Sequence, residues 1–149
     1  MPRTCRWMVV LMVAAVPLSA CAKTPESATA TSEAFTLELI DEETGLNRLT
    51  LTESAAERIR VETEEVGRLD RFGGESARTA IPYAAVLYDA EGATFTYTNP
   101  ESLVFVRHPV TVDYLEGDVA VLLDGPPEGT AVVTDGAAEL TGIEFGVGK

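Results

Sequence analysis

The chain is 149 residues long, 46% hydrophobic, and carries a formal net charge of -13. Its length suits one domain with an ordinary core after any leader is set aside. The acidic balance disfavours nucleic acid and anionic lipid headgroups, which would both repel it. It suits a well-solvated exported domain, weak cation binding or a basic partner.

In chain order, Arg3 and Arg6 form a short positive segment, and residues 7–16 are almost wholly apolar before Pro17. A membrane-spanning helix needs ~20 apolar residues, and this run is about half that, so it reads as an export signal. Leu18-Ser19-Ala20-Cys21 closes the run and resembles the lipobox of bacterial lipoproteins. An ordinary secretory signal and a chance Ala-Cys pair are the plainer alternatives. The resemblance implies cleavage before Cys21 and a thioether from its sulfur to diacylglycerol. The processed chain would then be anchored on the extracytoplasmic side of a membrane, in the periplasm or at the cell surface. Residues 1–20 are accordingly expected to be a lipoprotein signal peptide.

Processing changes the inventory. All three methionines, Trp7 and Cys5 leave with the signal, and losing Arg3 and Arg6 takes the formal charge from -13 to -15. Cys21 would be the one remaining cysteine, consumed by its lipid, so no disulfide is expected and the core must hold the fold.

Residues 21–34 are rich in Ala, Ser and Thr and show no apolar period. They are expected to be a flexible tether with a root-mean-square reach of only ~20 Å. Residues 35–149 then read as one β-domain. Phe35, Leu37 and Leu39 alternate as in a strand, Asp41-Glu42-Glu43-Thr44-Gly45 is turn-prone, and Leu49 and Leu51 resume the alternation. Thr52 or Ser54 can cap a short helix carrying Ala55, Ala56 and Ile59, with Glu57 completing a capping box to Ser54. Residues 61–66 read as a strand and the glycine-rich residues 67–79 as a loop.

Ile81, Tyr83, Ala85 and Leu87 alternate, and Asp89-Ala90-Glu91-Gly92 signals a turn. Ala93, Phe95 and Tyr97 share one face of the next strand, and Asn99-Pro100-Glu101-Ser102 turns the chain again. Val104, Val106, Val110 and Val112 line one face of a strand thereafter. Turns at residues 116–118 and 124–129 separate strands at 119–123 and 130–134. Turn signals every ten or so residues predict a mainly β fold, a small antiparallel barrel or roll with one short helix.

Several of these segments, in order, resemble the HlyD-type periplasmic adaptor (membrane fusion protein) family of efflux pumps. Ile81-Pro82-Tyr83-Ala84-Ala85-Val86-Leu87 is similar to the strand opening that family's C-terminal part. Phe95-Thr96-Tyr97-Thr98 resembles its next strand, and Val106 to Val112 another. Gly125 to Gly129, Val132-Val133 and Gly136-Ala137 resemble its closing motif. Leu51-Thr52-Glu53-Ser54-Ala55-Ala56 and Val61-Glu62-Thr63 are similar to the first half of the same membrane-proximal region. Complete adaptors carry lipoyl half-motifs and a long α-helical hairpin between these halves. Here residues 67–79 occupy that place, and no heptad-rich hairpin occurs in the chain. The resemblance thus implies the membrane-proximal β-domain alone, an accessory or docking module whose expected partner is a membrane transporter.

His108, the single histidine, falls in register with Val104, Val106, Val110 and Val112, which favours a partly buried, hydrogen-bonded imidazole. No catalytic constellation or nucleophile elbow accompanies it, so the chain reads as non-enzymatic with no catalytic residues. With one histidine and no free thiol after processing, no metal site or cofactor is expected. Asp41-Glu42-Glu43 and Glu62, Glu64 and Glu65 read as solvated acidic faces, matching no calcium loop. Gly73-Gly74 lacks the Lys-Ser/Thr of a phosphate loop. Phe95, Tyr97 and Phe105 read as core, with a ligand groove as the sharper option. Two non-enzymatic roles therefore stand beside each other: a docking module for a transporter, and a lipoprotein that binds a small molecule or peptide. Nucleic acid is not an expected partner, and the lipid on Cys21 is the one expected site.

Overall fold

The computed structural model describes residues 30–31, 34–69 and 77–146. The signal segment, Cys21 and Gly73-Gly74 lie outside the described residues. The chain opens with β1 (Ala30–Thr31), β2 (Phe35–Asp41), β3 (Leu46–Leu51), helix α1 (Glu53–Ile59), β4 (Glu62–Glu65) and β5 (Gly67–Leu69). Then come β6 (Arg78–Pro82), a 3-10 turn (Tyr83–Ala85), β7 (Leu87–Tyr88), β8 (Thr94–Glu101) and β9 (Val104–Pro109). The last elements are β10 (Thr111–Glu116), β11 (Val119–Asp124), β12 (Ala131–Asp135) and α2 (Ala137–Glu144).

The fold is mainly β with antiparallel sheets, as the alternation and turn spacing predict. The sheets do not close into a barrel. The larger has the order β1-β2-β3-β9-β8-β12-β4, with β7 beside β8, and the smaller runs β10-β11-β6-β5. Two devices pass the chain between them. Residues 62–69 run from β4 in one sheet to β5 in the other, with Val66 buried at the bend and its amide donating to the Thr130 carbonyl. Likewise, the single strand expected through Val104, Val106, Val110 and Val112 is two strands, β9 and β10, in different sheets. At the break, the Val110 amide donates to the Thr94 carbonyl and the Thr94 hydroxyl donates to the Val110 carbonyl at 2.6 Å.

The core splits across the larger sheet, because strand side chains alternate between faces. Val132 and Val133, adjacent and both fully buried, belong to different clusters. On one face Leu49, Leu51, Phe95, Tyr97, Phe105 and Val133 pack against Ala55 of α1 and Ala137 and Leu140 of α2. On the other, Val132 packs with Ile81, Ala120 and Leu122 of the smaller sheet. The order of layers is therefore helices, large sheet, small sheet.

Local sequence accounts for most boundaries. Thr52, not Ser54, caps α1, its hydroxyl accepting the Ala55 amide at 3.3 Å. Arg60 ends that helix at φ 55, left-handed backbone that glycine adopts more easily. Elsewhere the expectations need correcting. Pro82 ends β6, because proline has no N–H to continue a ladder, so Tyr83 and Ala85 sit in a 3-10 turn rather than a strand. Residues 67–69, expected in a loop, pair with β6. Strand β8 runs on through Pro100 to Glu101, because the Asn99 amide group bridges the carbonyls of Glu101 and Val104 and postpones the turn. Ala30 and Thr31, inside the expected tether, pair with Leu37 and Thr36. The second helix, α2, was not expected; it starts from Gly136 at φ 79 with no side-chain cap, so no capping residue announces it. Among the described residues, no helix is long and apolar enough to cross a membrane.

Candidate functional site

Two turns and two strands of the larger sheet enclose a groove of about 350 Å³. Leu46, Ala93, Phe95 and Pro109 provide its apolar lining, Thr44 and Thr94 add hydroxyls, and Asp41, Asp89 and Arg107 supply the charges. Its volume is within the usual range for small-molecule sites.

The carboxylates sit where they do because each organises its own turn. Asp41 Oδ1 accepts the Glu43 amide at 2.9 Å, and Oδ2 accepts the Thr44 hydroxyl at 2.7 Å. The Thr44 hydroxyl, and then the Glu43 amide, hold the Asp41 carboxyl below its ordinary range, so it is ionised at neutral pH. Asp89 Oδ1 accepts the amides of Glu91 at 3.0 Å and Ala93 at 2.7 Å. Neither carboxylate has an ion-pair partner among the described residues.

Arg107 is differently placed. Its Nε donates to Glu144 Oε1 at 2.8 Å, and Nη2 donates to the Gly45 carbonyl at 3.1 Å. Its guanidinium also lies 5.8 Å from the Phe95 ring centroid and 5.0 Å from that of Phe145. The Glu144 side chain, only 1% exposed, further accepts the Tyr97 hydroxyl at 2.5 Å and the Asn47 amide group at 3.2 Å. Burial, then the hydrogen bond and charge of Glu144, push the Tyr97 phenol well above its ordinary value near 10, so it remains a donor. This cluster clamps the end of α2 to β8, β9 and β3. It has the saturated bonding of a structural knot rather than the open valence of a reacting centre.

The aromatic residues divide as well. Phe95 and Tyr97 meet edge to face, with centroids 5.7 Å apart and planes at 86°, and both are buried in the core with Phe105. Phe95 alone also lines the groove, so core and groove readings share one side chain. His108 is half-buried on the face shared with Val106, opposite Thr96 on β8. The expected hydrogen bond is absent: its imidazole has no partner among the described residues. The neighbouring Thr96 hydroxyl is fully buried and also has none. Asp41-Glu42-Glu43 and Glu62, Glu64 and Glu65 do not assemble with other ligands, and among the described residues no group of three potential metal-binding side chains occurs. Cys21 lies outside the described residues.

Sequence reasoning missed Arg107 and Glu144 because they are far apart along the chain. The available signal was a glutamate between Ile143 and Phe145, an acid in an apolar setting that implies a buried partner. Comparison of this chain with models of protein families, with curated proteins and with solved structures finds no match.

Proposed function

We propose that this chain is a lipid-anchored, non-enzymatic protein of the cell envelope whose β-domain is an accessory or docking module for a membrane transporter. Cys21 would carry the lipid, on the extracytoplasmic side of the membrane. The observation that carries the docking role is an exposed tyrosine pair at a segment that resembles the adaptor family, Tyr83 within residues 81–87 and Tyr88 directly after it. Tyr83 opens the 3-10 turn and Tyr88 ends β7, and they are 42% and 58% exposed. Hydrogen bonding to the neighbouring Tyr83 phenol, and then its charge, would raise the Tyr88 hydroxyl above its ordinary range. Exposed tyrosines suit interface anchors, since they bury large area while losing little rotamer freedom.

The test is affinity purification of the full chain from detergent-solubilised membranes, comparing the unaltered protein with Tyr83→Ser/Tyr88→Ser. A polytopic membrane protein retained by the first and lost from the second is the expected result. Retention by both would remove the tyrosines from the interface, and retention by neither would sink the docking role. In parallel, Cys21→Ser should leave the chain unprocessed or free of the membrane. Palmitate labelling that persists in that variant would overturn the lipid assignment.

The groove between the Asp41 and Asp89 turns favours a second reading, a lipoprotein that binds a small molecule or peptide.

A further inference from the structure

We propose that this groove binds a small organic cation with an apolar body, an inference that rests on the ligand-binding reading and names its ligand class. Three features of the groove lead there. Its lining from Leu46, Ala93, Phe95 and Pro109 presents hydrocarbon that a purely ionic ligand would leave unused. Asp41 and Asp89 face it from two separate turns, and both are without an ion-pair partner among the described residues. The single cation in the wall, Arg107, is already neutralised by Glu144 at 2.8 Å.

The charges left over are therefore two carboxylates. Their protein-derived donors are backbone amides and the Thr44 hydroxyl, all neutral. An anion entering the groove would meet both without compensation. An ammonium or guanidinium would meet both favourably, and its apolar body would cover the Phe95 ring and Leu46. The two carboxylates lie on the rim, where water screens them, so their attraction selects the sign of the ligand and the apolar lining supplies the larger part of the affinity.

The experiment uses three probes of matched shape: 2-phenylethylammonium, 3-phenylpropionate and 2-phenylethanol. Each is titrated into the isotope-labelled full chain held in neutral-detergent micelles, and amide shifts are followed by NMR. The ammonium should move Leu46, Ala93, Thr94 and Phe95 most, and binding should weaken with added salt. Asp89→Asn keeps the one oxygen that accepts both amides of its turn, and Asp41→Asn keeps an acceptor for the Glu43 amide while giving up the one for the Thr44 hydroxyl, in an exposed turn. The double variant Asp41→Asn/Asp89→Asn removes both charges, and its unchanged amide pattern away from the two turns checks that it is folded. It should weaken the ammonium about threefold to tenfold, the effect of two partly screened charges, and leave the alcohol unchanged.

Equal binding of the ammonium and the alcohol, unaffected by the double variant, would overturn the cation class while leaving a ligand-binding groove. Preference for the carboxylate would overturn it too. No groove shift with any probe would remove the ligand-binding reading as well. Shifts at these residues that depend on protein concentration alone would assign the groove to a second copy of the chain, which also overturns the proposal.

Discussion

Arg107 Nε on β9 lies 2.8 Å from Glu144 Oε1 at the end of α2, joining residues 37 apart in sequence. The carboxylate is almost fully buried and the guanidinium about one-fifth exposed, so the two members of the pair are unequal. Deleting Arg107 strands a buried charge, whereas deleting Glu144 leaves a cation that can still reach water.

Arg107→Ala should therefore cost about 3–5 kcal/mol, the usual range for breaking a buried pair from one side. Glu144→Gln, which keeps an acceptor for Tyr97, should cost less. Urea unfolding of both variants and of the double variant checks this. Equal costs of the two single variants would contradict the asymmetry, and costs that simply add in the double variant would mean that the contact contributes little coupling.

Tyr97 imposes a pH dependence on the same cluster. Its phenol is raised above its ordinary value near 10. Stability from this group is thus fully present below the unfolded-state value and falls as pH rises beyond it, because only the unfolded chain then releases the proton. The slope for one such proton is about 1.4 kcal/mol per pH unit. Tyr97→Phe should lose this component above about pH 10 and cost about 1.5–3 kcal/mol at neutral pH, the range for a hydrogen bond to a charged group. Parallel alkaline stability curves for the two proteins would contradict the assignment.

Thr96 is fully buried, and its hydroxyl has no partner among the described residues. Valine has nearly the same shape and removes the desolvated oxygen. Thr96→Val should raise stability by about 1 kcal/mol, within the cost of an unmade buried hydrogen bond. A drop in the denaturant midpoint would show that the hydroxyl is satisfied after all, for instance by a buried water.

Opposite backbone changes should act in opposite directions where α1 ends and α2 begins. Arg60 holds φ 55 at the end of α1, so Arg60→Gly should gain about 0.5–1 kcal/mol by removing left-handed strain. Gly136 holds φ 79, and a Cβ there would lie 3.1 Å from the Ile59 carbonyl oxygen and 3.3 Å from Val61 Cγ2. Gly136→Ala should cost about 1–3 kcal/mol through strain and crowding together. Thermal melts of the pair decide the matter: a lowered midpoint for Arg60→Gly would contradict the strain at Arg60, and an unchanged or raised one for Gly136→Ala would contradict the crowding at Gly136.

Much of the fold was legible because its signals are local. Alternation placed β2, β3, β8, β11 and β12, and the turns at Asp41, Asp89 and Glu116 follow from glycines and side chains that bond their own backbone. The cap of α1 was legible for the same reason. Strand-to-sheet assignment was not: Val106 and Val112 have identical local character, yet β9 and β10 belong to different sheets. Pro109, which has no N–H, marks the end of β9 locally, but the transfer to the other sheet is held by Thr94 bonding Val110 across the fold.

Helix α2 and the candidate groove were hidden for related reasons. Gly136 offers no capping side chain, and α2 is anchored instead by Leu140 in the core and by Arg107, Tyr97 and Asn47 on Glu144. The groove is lined by both Asp41 and Asp89, whose separate turns look like ordinary polar loops in sequence.

By itself, then, the sequence determined the β class, most strand boundaries, the acidic charge and the expectation of a lipid on Cys21, because composition, period and turn chemistry act over a few residues. Tertiary structure alone decided that the sheets remain two, that Glu144 is buried against Arg107, and that two carboxylates share an apolar groove. Those outcomes come from long-range packing, in which each side chain's environment is supplied by residues that its own neighbourhood does not specify.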